Sequence, residues 1–153
     1  TGHYKNGQKD GIWVQIAESG DTLHITTYRE GNEEGLQVRF DRETGSRLKE
    51  YYKKNNRYDG LYREYDPSTG ELVYEATYEF GRLNGKAKSL VRDNRFDYWE
   101  TSTYANGRQT GPFESRYVKN DRVRETGTYR NGHRTGRWKR YDINGKLEME
   151  WEE

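Results

Sequence analysis

The chain has 153 residues, a length that suits one domain, and no cysteine, which excludes disulfides and thiolate metal sites. Its 27 Lys/Arg and 26 Asp/Glu leave a net charge of +1, too little for strong long-range attraction to a polyanion. Ile, Leu, Val and Phe supply only 22 residues, too few for a thick three-layer core, but 14 Tyr and 4 Trp offer large apolar areas in their place.

One pattern recurs from end to end. Its anchor is Gly-x-x-x-Gly, at Gly7/Gly11, Gly31/Gly35, Gly81/Gly85, Gly107/Gly111 and Gly132/Gly136; ahead of Gly60, Asn56 stands for the first Gly. The second Gly recurs at intervals of 24, 25, 25, 26 and 25 residues, which marks six copies: 1–25, 26–50, 51–76, 77–102, 103–127 and 128–153. These six repeats form a single repeat domain over 1–153. Three residues before the first Gly comes a tyrosine: Tyr4, Tyr28, Tyr78, Tyr104 and Tyr129. Tyr52 precedes Asn56 by four, which reads as a one-residue insertion. Two residues after the second Gly come Trp13, Tyr62, Phe113 and Trp138, with Gln37 and Ala87 breaking the pattern. Five residues after it come Ile16, Phe40, Tyr65, Leu90 and Tyr141; in the fifth copy the aromatic is one place late, at Tyr117. A second turn follows in each copy, as at Thr44-Gly45, Thr69-Gly70 and Asn144-Gly145.

Between the turns the apolar residues step by two. Ile12, Val14 and Ile16, then Leu36, Val38 and Phe40, then Leu72, Tyr74, Ala76 and Tyr78, then Leu147, Met149 and Trp151 all alternate. A period of two is the strand signature, Asn-Gly is a hairpin turn signal, and runs of five to eight residues leave no room for an ordinary helix. The expected fold is all-β: an elongated, single twisted antiparallel sheet, a meander of about twelve strands in six hairpins. Gly at the anchors allows tight turns and close backbone approach. Parity places Trp13, Tyr62, Phe113 and Trp138 on one face and the plus-five row on the other. Copy four diverges most, with Lys86-Ala87-Lys88 and a dense Phe96-Asp97-Tyr98-Trp99, and the last strand ends acidic, as a blunted sheet edge does.

The unit Tyr-x-Asn-Gly-x-x-x-Gly-x-Trp-x-x-Tyr-x-x-x-Gly-x-Leu, seen best in the sixth copy, resembles the MORN-variant repeat, whose bacterial proteins are often labelled YwqK-type antitoxins. The resemblance covers essentially the whole chain. It implies stacked hairpins in one sheet and a protein-binding role, as an antitoxin or immunity protein that sequesters a toxin. It carries over no site residues.

No residues point to catalysis. His3, His24 and His133 lack metal-ligand spacing, there is no Gly-x-Ser-x-Gly and no phosphate-binding loop, and neither cofactor nor metal is expected. The repeated aromatics have two readings: a thin core, or anchors for a protein partner. The candidate partner-binding residues are Trp13, Tyr62, Phe113 and Trp138, joined by Tyr98 and Trp99. A structural scaffold is the alternative function. Membrane-surface or nucleic-acid binding through the basic second half (Arg116, Lys119, Arg122, Arg124, Arg134, Arg137, Lys139, Arg140) is a weaker one, and a homodimer through the sheet edges is a further option. The chain opens on Thr1 at a repeat boundary, which implies removal of a tag, a leader or a preceding segment. A cytoplasmic location is expected, with the periplasm or export as alternatives.

Overall fold

The computed structural model describes residues 1–153. It holds thirteen strands and no helix: β1 (His3–Lys5), β2 (Gln8–Ile16), β3 (Thr22–Arg29), β4 (Asn32–Phe40), β5 (Arg47–Lys54), β6 (Arg57–Tyr65), β7 (Leu72–Glu79), β8 (Arg82–Val91), β9 (Tyr98–Ala105), β10 (Arg108–Tyr117), β11 (Val123–Arg130), β12 (His133–Tyr141) and β13 (Leu147–Glu152). Strand order follows chain order, an antiparallel meander, as the alternation of apolar residues predicts. The strand beyond two per copy is β1, which pairs with β2 ahead of the first turn. The chain divides into two compact units, 1–82 and 83–153, each with its own packed rows.

The first Gly of each anchor lies in a two-residue turn where both residues have positive φ, as in Asn106 (+51°) and Gly107 (+82°). This is the type I′ geometry whose twist matches that of the flanking strands. The turn at Asn55-Asn56 has the same two residues, so the insertion inferred there does not exist. Lys53 occupies the place held elsewhere by Tyr, its partner across the hairpin is Tyr58, and Tyr52 turns to the opposite face.

The second Gly is not in a turn. Gly60, at φ +109°, lies inside β6, where Tyr51 pairs with Tyr62 and Lys53 with Tyr58, leaving Tyr52 opposite residues 59–61. Such a bulge needs a backbone conformation that glycine alone takes without strain. On its other side Gly60 pairs regularly with Tyr78. The bulge therefore bends each hairpin without spoiling its pairing with the next.

Successive hairpins are tied at their turns. The amide of Gly31 donates to the Lys9 carbonyl at 2.9 Å, Gly81 to Tyr58 at 2.8 Å and Gly132 to Gln109 at 2.8 Å. Side chains just before the second Gly add another tie: Asp10 accepts from the Glu30 amide and Asp59 from the Phe80 amide, both at 3.3 Å. The Asp-Gly pairs at 10–11 and 59–60 are thus acceptors for the neighbouring turn.

The second turns are held by aspartate. Asp41 Oδ1 accepts from the Thr44 amide (2.8 Å), the Glu43 amide (3.1 Å) and the Thr44 hydroxyl (3.0 Å). Asp142 does the same for the Asn144 and Lys146 amides. These bonds, those from Thr44 foremost, hold the Asp41 carboxyl below its ordinary pKa. A folded pKa below the unfolded one gives stability that is present above the unfolded value and lost as pH falls through the folded one. Carboxyl-carbon NMR of Asp41 is therefore expected to titrate below the usual aspartate range, and Asp41→Asn to flatten the acid limb of the stability curve. A midpoint at or above the ordinary value would remove this role.

Packing follows from parity, within each unit. In unit 1 one row runs Trp13, Thr26, Gln37, Tyr51, Tyr62, Ala76 across successive strands. In unit 2 Ala87, Ser102 and Phe113 lie in register, with Gly127 opposite Phe113, and Trp138 pairs with Trp151. Large rings alternate with small residues, so rings lie over their neighbours. Gln37, which breaks the aromatic pattern, is buried with its amide donating to the carbonyls of Thr27 (3.1 Å) and Gly35 (3.2 Å) at the bulge. Tyr117, one place late, pairs with Tyr98 and so joins the aromatic face of unit 2, where its hydroxyl donates to the Tyr141 carbonyl at 2.9 Å.

Candidate interaction face

The rings singled out in the sequence fall in three environments. Tyr62, Phe113 and Trp138 are buried, and Trp138 is 0 % exposed. Tyr51 stacks on Tyr62 at 5.7 Å; Phe113, Tyr129 and Trp151 surround Trp138 at 5.3–6.2 Å. Their surface is spent on packing. Burial, with the hydrogen bond to Glu64, pushes the Tyr62 hydroxyl up to about 12. Trp13 keeps part of its surface in water, with the Lys9 ammonium 4.7 Å from its ring. Tyr98 lies under the Arg124 guanidinium, 3.9 Å away. Trp99 has the opposite parity to Tyr98 and meets Lys88 at 4.4 Å. The six candidates therefore do not form one surface.

Cations close the aromatic face of unit 2. Glu125, 2 % exposed, accepts from Arg140 (2.7 and 3.0 Å) and pairs with Arg134 (3.2 Å) and Arg124 (3.7 Å). The same guanidiniums sit over Trp151, Trp138 and Tyr98 respectively. Arg116 pairs with Glu114 and Arg137 with Glu150. Arg116, Arg124, Arg134, Arg137 and Arg140 are thus each paired locally with a carboxylate.

The opposite faces of the two units differ. In unit 2 one row of that face reads Lys88, Thr101, Glu114, Thr126, Lys139, Glu150 across successive strands, a row of mixed charge with the apolar pair Leu90–Trp99 beside it. In unit 1 the equivalent row begins Val14, Ile25, Val38 before turning polar at Glu50, Arg63 and Glu75. Flanking it are Ile12 (62 % exposed), Ile16 (48 %), Leu36 (37 %) and Tyr52 (44 %). Three of the four isoleucines of the chain, Ile12, Ile16 and Ile25, lie on this one face.

Strands β2 to β5, at ~4.8 Å spacing and ~3.4 Å per residue, give this patch a footprint of roughly 15 by 17 Å, a little under the largest apolar patch of an ordinary monomer (about 300–600 Å²), with Val38 buried within it. Its polar border is ordered. Arg63 donates to Glu75 (2.7 Å) and Glu50 (3.1 Å), Arg47 to Glu50 (2.8 Å), and the Tyr65 hydroxyl to Glu50 (2.7 Å). Burial pushes the Glu50 carboxyl up, but the bonds from Tyr65 and Arg63 and the charge of Arg47 outweigh it and hold the group below its ordinary value. This charged border lies along the β5–β7 side of the apolar residues, as part of the polar rim of a protein interface would. Sequence reasoning found the aromatic row and passed over this aliphatic one. The signal was present in Ile12-x-Val14-x-Ile16 and Leu36-x-Val38.

No group of three His, Cys, Asp or Glu side chains comes together to hold a metal ion. No family model matches the chain, and no curated protein matches it.

Proposed function

We propose that the chain is a non-catalytic protein-binding module that takes its partner on the aliphatic face of unit 1. One observation carries this reading: Ile12, Ile16, Leu36 and Tyr52 stand in water beside the row Val14, Ile25, Val38, whereas the matching row of unit 2 is Lys, Thr and Glu, with the Leu90–Trp99 pair beside it. Exposed apolar residues gathered on one sheet face, unlike ones scattered singly, point to an interaction surface. The antitoxin or immunity role implied by the MORN-variant resemblance is the specific form proposed: the face lies over the working surface of a toxin and blocks it sterically. The pairing of Arg116, Arg124, Arg134, Arg137 and Arg140 with glutamates supports a protein partner over a phosphate surface.

The test is Ile12→Lys combined with Leu36→Lys. Both positions are partly exposed, so stability should change by no more than about 1 kcal/mol. Affinity capture from the native host with the wild-type chain is expected to retain a stoichiometric partner that the double variant loses. Identical capture by both chains would refute the assignment. A wild-type dimer, seen by light scattering and dissolved by the same substitutions, would give the face to a second copy instead.

A further inference from the structure

The turn end of unit 1 carries a cleft with residues other than those of the aliphatic patch. Six residues open the six type I′ turns: Asn6, Glu30, Asn55, Phe80, Asn106 and Asn131, all with φ between +48° and +52°. Asparagine tolerates this left-handed conformation; an aromatic residue adopts it at a cost. Phe80, at φ +48°, is 69 % exposed, so burial of its ring does not offset that cost. Its backbone is held in place by the bonds from its amide to Asp59 (3.3 Å) and from the Gly81 amide to the Tyr58 carbonyl (2.8 Å).

A second local rule is broken beside it. Lys54 and Arg57 face each other directly across the β5–β6 hairpin. Like charges in that position repel. At the same place in the first hairpin the pair is Lys5 with Gln8, and in the next it is Arg29 with Asn32. Phe80, Lys54, Arg57, Asn55 and Asp59 together line a cleft of about 300 Å³. The one carboxylate there, Asp59, is engaged by the Phe80 amide. That bond leaves Asp59 its charge, so the cleft offers an exposed ring and two cations against a single carboxylate, a net positive charge.

Two unfavourable local choices meeting in one cleft mark a place shaped for something other than stability. We infer that this cleft docks an acidic, aromatic-bearing segment of a partner protein. The carboxylates of the segment would relieve the Lys54–Arg57 repulsion, and its apolar side chain would cover the Phe80 ring. Charge complementarity selects this occupant: a neutral apolar segment leaves the cations facing each other, and a free anion leaves the ring in water.

The experiment uses the ¹⁵N-labelled chain and two peptides, acetyl-Glu-Asp-Trp-Asp-Glu-amide and its neutral counterpart acetyl-Gln-Asn-Trp-Asn-Gln-amide. The acidic peptide is expected to shift the amides of Asn55, Arg57, Phe80 and Gly81 saturably, at least tenfold more tightly than the neutral one. Phe80→Asn should abolish these shifts while raising the melting temperature, because asparagine accepts the turn conformation. Lys54→Gln should weaken binding and leave the chain folded. Equal response to both peptides, undiminished binding by Phe80→Asn, or a Phe80→Asn chain that melts no higher would each overturn the inference. Inorganic phosphate producing the same shifts at the same concentration would also overturn it, since the site would then read any anion. None of these outcomes depends on the aliphatic face, whose substitutions lie on other residues.

Discussion

Gly127→Ala is expected to destabilise the chain by about 3 kcal/mol, the upper end for overpacking a well-filled site. A Cβ on Gly127 would lie 2.1 Å from Cδ2 and 2.2 Å from Cε2 of Trp138. The indole has nowhere to go: it is fully buried, with Phe113, Tyr129 and Trp151 around it and the Arg134 guanidinium 4.1 Å above. Either the strand moves or the ring leaves, and exposing a buried tryptophan forfeits several kcal/mol. Gly2 stands to Trp13 in the same way, with a Cβ 2.3 Å from the ring, so the pairing is a device used in both units. The measurement is urea unfolding followed by tryptophan emission, which should redden in the folded state if the ring is expelled. Trp138→Leu should rescue Gly127→Ala in part, making the pair less harmful than the sum of its members. A variant as stable as the wild type would show that the row is loosely packed.

Replacing Glu125 with leucine should cost about as much, roughly 3 kcal/mol, the lower end for breaking a buried ionic cluster from one side. The lower end applies because the arginines are partly exposed, at 20–39 % of their side-chain area. Without the carboxylate, Arg124, Arg134 and Arg140 repel one another, and the caps over Tyr98, Trp138 and Trp151 lose their common pin. Removing one arginine should cost less, since two remain on the carboxylate. Glu100 provides an independent readout. Its carboxyl is pushed up chiefly by burial and by the Glu125 charge, against the pull of Arg124 and Arg134. A folded pKa above the unfolded one gives stability that is present below the unfolded value and lost as pH rises through the folded one. In Glu125→Leu the Glu100 midpoint is expected to fall, because the like charge is gone and two guanidiniums are released towards it. An unmoved midpoint would show that the two carboxylates do not sense each other.

Much of the framework was legible because hairpin physics is local. The Asn-Gly turns, the period-two runs and the parity of Trp13, Tyr62, Phe113 and Trp138 each depend on residues a few places apart, and all are found where those rules put them. Errors arose where one position is decided by another strand. Tyr52 looked like a displaced member of the tyrosine row, but the hairpin had exchanged Tyr for Lys53 and Tyr58 across its two arms. Tyr117 looked like a late member of the outer row, but one step along a strand changes face. Asp41 and Asp142 were missed because their work is done through the backbone of the turn that follows.

The order of strands, their number within one, the turns and the alternation of faces were determined by the sequence alone, since each follows from dihedral preference and side-chain parity over fewer than ten residues. The tertiary structure alone decided which rings are buried and which face is left bare. A ring is covered by residues one strand away, as Trp138 is by Gly127 and Trp151, and the aliphatic patch exists only when Ile12, Ile25 and Val38 from three strands are laid side by side. Burial is a property of neighbours across strands, and a linear pattern carries those neighbours only after the register is known.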